Sequence, residues 1–197
     1  MKHIITLLLL SIITYASNLP NNSVVKIFST IAFENYKEPW ENPQIQNFTG
    51  SGVIIKDNQI LTSAHVVGSS KFVEVQKEND SKKYEANVKY ISNQVDLAIL
   101  EIKDKSFFEN TIPLEITEDV KIKDSVTAIG YPVGGNTIST TNGIVSRIEY
   151  KSYAWNPFNS YLTIQIDAAI NSGNSGGAVI NKDNKIVGIA MMKLTSA

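Results

Sequence analysis

The sequence predicts an all-β fold built from many short strands, and three observations predict it. Apolar residues come in short runs or alternate with polar ones, and no long segment repeats at the 3.6-residue period of a helix. Val, Ile, Thr and Tyr dominate those runs, and these side chains suit a pleated surface. Turn-forming stretches such as KDN (56–58) and KDNK (182–185) lie between runs and read as hairpin turns. Many short strands at regular spacing suggest a sandwich or a barrel.

In chain order the expected strands are VVKIF (24–28), GVIIK (52–56), QILTSA (59–64), KFVEVQK (71–77), YEANVKYI (84–91) and DLAILEI (96–102). SVTAIGY (125–131), NGIVSRIEY (142–150), YLTIQID (161–167), GAVIN (177–181) and KIVGIAMM (185–192) follow. Two polar or mixed stretches read as surface loops, one at 34–51 and one at 151–160. KENDSKK (77–83) reads as a solvated hairpin end.

Composition narrows the function. The chain has 197 residues, 43% hydrophobic and 19% charged, as a globular, core-forming protein does. Its net charge is -1 and it has no strongly basic stretch, so nothing favours nucleic acid or an anionic membrane surface. With no cysteine there is no disulfide, no thiolate metal site and no cysteine nucleophile.

The first residues, MKHIITLLLLSIITYAS, place Lys2 before an apolar run and small residues before a cut after Ala16. That is the pattern of a cleaved secretory signal over residues 1–16. The other reading, a membrane anchor, needs ~20 apolar residues, and this run is about half that. The mature domain is expected over 17–197, with no stable membrane anchor after cleavage.

His3 lies in the expected signal, which leaves His65 as the one histidine of the mature chain. A His/Cys zinc site is therefore excluded, and any histidine base must be His65. Read alone, His65 in ILTSAHVV is either a half-buried core residue or a base. Asp96 in SNQVDLAIL is either a turn aspartate or a partly buried carboxylate that orients an imidazole. Ser175, in NSGNSGGAVI, is either a turn serine or a nucleophile. A serine nucleophile needs a base to accept its proton and amide donors aimed at the developing oxyanion. Gly173 would let the chain turn back so that its own N–H and that of Ser175 converge, and Gly176 and Gly177 would leave room beside the hydroxyl.

GNSGG also matches the G-x-S-x-G elbow of α/β-hydrolases, but that fold needs a helix after the serine and a later histidine. Here a strand-like hairpin follows, and no histidine lies beyond Ser175. The order His65, Asp96, Ser175 is that of a chymotrypsin-like double β-barrel.

The stretches GSGVII, ILTSAHVV, VDLAIL, AIGYPVGG, TISTTNGIVSRIE and QIDAAINSGNSGGAVIN closely resemble the HtrA/Deg family of trypsin-like serine proteases, and most of all its plant-type Deg branch. The resemblance runs from Val24 to Met192. It implies two six-stranded Greek-key barrels, with His65 as general base, Asp96 as its orienting partner and Ser175 as nucleophile. Gly173, Asn174 and Ser175 would supply the oxyanion-hole amides. Ala169, Ile170, Ile189, Ala190 and Met191 would line the primary substrate pocket, and no charge is found there. The resemblance implies no metal or cofactor, polypeptide substrates drawn from unfolded or damaged exported proteins, a periplasmic setting and a homotrimer. The chain stops at LTSA, before the family's last strand and its PDZ domains, so the second barrel is expected to lack that strand. An alternative reading from another class is a non-catalytic module of the same fold that binds peptides or unfolded proteins.

Overall fold

A computed structural model describes residues 20–153 and 156–191, with the side chains of 153–159 left undescribed. The expected signal at 1–16 lies outside these residues. The strands are β1 (Val24–Phe33), β2 (Gln44–Ile55), β3 (Gln59–Thr62), β4 (Ser70–Lys77), β5 (Tyr84–Ser92) and β6 (Leu97–Ile102). After them come β7 (Ser125–Gly130), β8 (Ser139–Tyr153), β9 (Asn156–Ile166), β10 (Ala178–Asn181) and β11 (Ile186–Ile189). A one-turn helix, α1 (Ala64–Val67), follows β3.

β1 to β6 close into a barrel in the order β1-β2-β3-β6-β5-β4. The second sheet runs β11-β10-β7-β8-β9. If β7 to β11 are matched to β1 to β5, the second sheet repeats the first order with the sixth place empty among the described residues. The molecule is thus a chymotrypsin-like double barrel, one half closed and the other a curled five-stranded sheet.

Alternation along the strands sorts side chains between separate cores. Ile54 and Ile60 point into the first barrel with Val25, Ile27, Leu100 and Phe107. Their neighbours Val53, Ile55 and Leu61 face the other way and pack against Ile129, Tyr131, Ala178 and Ile180 of the second sheet. Val126, Ala128, Val145 and Val179 form a third cluster inside that sheet. The segment between the barrels binds to both, through parallel bridges Ile55↔Leu114 and Ile116↔Ile186.

The expected turns at 56–58 and 182–185 form as read. Asp57, Asn58 and Asn184 take the left-handed conformation, which Asn and Asp tolerate best after glycine. The two long loops are shorter than expected. β2 begins at Gln44, so only 34–43 is loop, because the β1–β2 ladder continues from Val24↔Val53 out to Phe33↔Gln44. At 151–160, β8 runs to Tyr153 and β9 starts at Asn156, with Tyr153↔Asn156 as the last pair. In both places backbone pairing extends the hairpin, and along β2 the outer residues Gln44 to Phe48 are exposed, so the hydrophobic pattern does not mark them as strand.

Candidate active site

Three segments meet where the two barrels adjoin. β3 ends at Thr62, and the chain turns into α1, which carries His65 in its first turn. Asp96 stands immediately before β6, 3% exposed and with φ 52°. This backbone turns both its carbonyl and its side chain toward α1. The Asp96 carbonyl accepts the Ala64 N–H at 3.1 Å. Its Oδ1 accepts the His65 N–H at 2.7 Å, and its Oδ2 lies 2.7 Å from His65 Nδ1. An ionised carboxylate can only accept, so Nδ1 carries the proton and Nε2 is left to take one. The His65 side chain keeps 26% of its surface exposed, enough to meet a substrate.

The third segment is the turn before β10. Asn174 N–H donates to Asn171 O at 3.0 Å, closing a β-turn with Gly173 in its third position at φ 94°. A left-handed residue there is the mark of a type II turn and favours glycine. A side chain on Gly173 would also meet Tyr131 O and Val133 N at 2.5 Å. The loop carbonyls point inward. Ser172 O accepts from Val133 N–H, Gly173 O from Ser51 Oγ, Asn174 O from Gly177 N–H and Ser175 O from Ser51 N–H, each at 2.8 Å. Gly176 N–H donates to Ala190 O at 2.7 Å.

Among residues 173–177, the N–H groups of Gly173 and Ser175 are those with no acceptor among the described residues. These are the two amides that the glycine-turn argument selects. Asn174 is a correction: its single N–H is spent on Asn171 O inside the turn, so it is not available to an oxyanion.

His65 and Ser175 line one cavity of about 220 Å³, together with Ile31, Phe48, Thr49 and Val66. Of the expected pocket residues, Ala169 is exposed and Ala190 is buried, while Ile170, Ile189 and Met191 are half-buried. Ile170 and Ile189 pack against two different cores. Ala190 is tied to the loop before β10, donating to Gly177 O at 2.9 Å.

Sequence reasoning assigned no role to Ser51, Thr62 or Tyr131, which support the loop from below. All are buried, and Ser51 carries the loop's bonds to the first barrel. Burial pushes the Tyr131 phenol far above its ordinary range, and the nearby Glu78 carboxylate pushes it further. The signal available was the GSG stretch, which carries no chemical pattern by itself.

Comparison with other proteins identifies the family. Residues 50–189 match the family described as trypsin-like peptidase domain. The chain is 46% identical over 176 residues to Protease Do-like 4, mitochondrial, of Arabidopsis thaliana, covering 89% of this chain and 34% of that protein. It is 41% identical over 166 residues to the Serine protease DegP homolog of Plasmodium falciparum, covering 84% of this chain and 19% of that protein. The chain thus spans about a third of the length of the first of these relatives and about a fifth of the second. Among solved structures, the active form of Rv3671c protease from M. tuberculosis superimposes with a TM-score of 0.74 at 26% identity, covering 89% of this chain and 72% of that one. An HtrA-type protease AlgW variant with a tripeptide gives 0.70 at 26% identity, covering 87% and 51%. A match over 50–189, which takes in His65, Asp96 and Ser175, means that the chain belongs to the trypsin-like peptidase domain family.

Proposed function

We propose that this chain is a serine endopeptidase of the HtrA/Deg type, cutting polypeptides through an acyl-enzyme. The observation that carries the proposal is the pairing of a doubly held His65–Asp96 couple with Ser175 in one cavity, beside two undonated loop amides. His65 Nε2 takes the Ser175 hydroxyl proton as Oγ bonds to the scissile carbonyl carbon. The carbonyl oxygen becomes negative and is held by the N–H groups of Gly173 and Ser175. Collapse expels the amine, which leaves with the proton from His65. Water then repeats the sequence on the ester and frees Ser175. Asp96 keeps the Nδ1–H tautomer and stabilises the imidazolium between the transfers.

The test is labelling of the folded chain by a fluorophosphonate probe, with Ser175→Ala as control. Labelling that disappears in the control is expected. A folded chain that does not label would overturn the proposal and favour the peptide-binding alternative.

The substrates we infer are unfolded or damaged exported proteins, cut after Val, Ala or Leu. The apolar character of Ala169, Ile170, Ile189, Ala190 and Met191 supports that preference, and the similar AlgW variant solved with a tripeptide supports a polypeptide substrate. A peptide-library profile dominated by Arg or Lys before the cut would overturn it. Export rests on the leader pattern of residues 1–16, and a periplasmic setting and a homotrimer rest on the resemblance alone. N-terminal sequencing of the exported chain is expected to begin at Ser17, and light scattering of that chain tests the trimer.

A further inference from the structure

The nucleophile loop belongs to the second sheet, yet it is fastened from the first barrel by one residue. Ser51, on β2, has no exposed surface. Its N–H donates to Ser175 O at 2.8 Å. Its carbonyl accepts the Thr62 hydroxyl at 2.7 Å. Its own Oγ lies 2.8 Å from Gly173 O and 2.8 Å from Tyr131 N. The direction of these last two bonds is fixed. An amide N–H can only donate, so Oγ accepts from Tyr131, and its single proton must go to Gly173 O.

That proton sits at an informative place. Gly173 O and Asn174 N–H belong to one planar peptide unit. The flanking units carry the Gly173 and Ser175 N–H groups that have no acceptor. Ser51 Oγ and Asn171 O pin the middle unit, while the Val133 and Gly177 N–H groups pin the flanking units at Ser172 O and Asn174 O, and together these bonds set the angle between the two amides. We propose that the Ser51 hydroxyl is a positioning group for the oxyanion hole, acting through the Gly173 carbonyl. The inference rests on the serine-protease reading above and adds to it a residue that never touches substrate.

The fluorophosphonate probe tests both without a known substrate. In the labelling step Ser175 Oγ bonds to phosphorus, fluoride leaves, and the proton passes to His65, while the phosphoryl oxygen occupies the hole. Saturation kinetics separate the first-order labelling rate constant from the half-saturating probe concentration. Ser51→Ala is compared with Ser29→Ala, a control that removes another fully buried serine hydroxyl, one bonded to Ser70.

Losing a direct donor costs about 10²- to 10³-fold, so a misaimed hole in Ser51→Ala is expected to cost at least about tenfold in the rate constant. The half-saturating concentration should stay within about twofold, since that change removes transition-state stabilisation rather than binding. Ser29→Ala should label like the wild type. If Ser51→Ala labels at the wild-type rate, or Ser29→Ala loses as much, the positioning role is overturned while the protease reading stands. If the wild type shows no Ser175-dependent labelling, both fall. Should Ser51→Ala not fold, Ser51→Cys retains a weak donor at nearly the same size. Its S–H is a much poorer donor to a carbonyl than an O–H, so it is expected to label more slowly than wild type, and a wild-type rate would overturn the proposal.

Discussion

Asp96 holds His65 twice, with Oδ1 on the backbone N–H and Oδ2 on ring Nδ1, both at 2.7 Å. One carboxylate therefore sets the position of α1 and the tautomer of the ring it carries. The two roles separate in Asp96→Asn. Asparagine tolerates φ 52° as aspartate does, and its one oxygen can still accept the His65 N–H. Its NH₂ would then face Nδ1, make Nδ1 an acceptor and move the ring proton to Nε2. The variant should keep its fold and lose about 10⁴-fold in kcat, the scale of this change in a Ser-His-Asp triad. Circular dichroism with peptidase kinetics checks it, and a loss under about tenfold would contradict the tautomer argument.

Gly176 and Gly188 form a matched pair of opposite expectation. Gly176 has φ 82°, and a Cβ there would lie 2.2 Å from both Ser51 O and Thr62 Oγ1. Gly188 has nothing within 4 Å of the same atom. Left-handed strain and backbone overlap together should make Gly176→Ala cost at least about 3 kcal/mol. Gly188→Ala should stay within about 0.5 kcal/mol. Urea midpoints of the two variants measure the contrast.

Gly188 lies in a strand that the sequence reading found, and Gly176 lies just before one. β6 and β7 are legible because alternate side chains serve different cores: Val126 and Ala128 face one cluster, and Ile129 faces another. Apolar residues on both faces give the short continuous runs seen in the sequence. The outer ends of β2 and β8 were not legible, since they are held by backbone pairs such as Phe33↔Gln44 and bury little. At the site, His65, Asp96 and Ser175 could be singled out in the sequence because few residue types can perform the chemistry proposed for them. Asn174 was misread as an oxyanion donor because a motif names residues and does not say where each N–H points. Ser51 was missed for a related reason. Its role depends on which peptide unit its hydroxyl reaches, and only the folded chain brings residues 51 and 173 together.

Phe107 closes the first barrel between its strands and the connecting segment. It has no exposed surface and meets Tyr84 and Phe108 edge-on, each with ring centroids 5.0 Å apart. Phe107→Ala should cost about 3–5 kcal/mol through lost burial and the cavity left behind. A domain of ordinary stability holds about 5–15 kcal/mol in total, so the variant should stay folded in buffer with a much lower urea midpoint. A change below about 1 kcal/mol would mean that the neighbouring rings collapse into the space.

The short 3₁₀ turn that delivers Phe107 is capped by Asp104, and this cap should respond to acid. Oδ1 accepts the Ser106 hydroxyl at 2.6 Å and the Ser106 N–H at 3.1 Å, and Oδ2 accepts Lys82 Nζ at 3.0 Å. The Ser106 hydroxyl, then Lys82, then the Ser106 amide lower the Asp104 pKa from 3.8 to about 2. A carboxyl whose folded pKa is depressed binds protons more readily in the unfolded chain. Its contribution to stability is therefore present above 3.8 and is lost as the pH falls through about 2. Asp104→Asn keeps a cap oxygen and removes the charge, so it isolates this contribution. Urea midpoints of wild type and variant should differ at pH 5, and the gap should narrow steadily between pH 4 and pH 2. The group is exposed, so added salt should shrink the Lys82 share of the gap at pH 5 and leave the Ser106 share. A gap that is constant across this pH range would show that the ionisation of Asp104 contributes nothing to it.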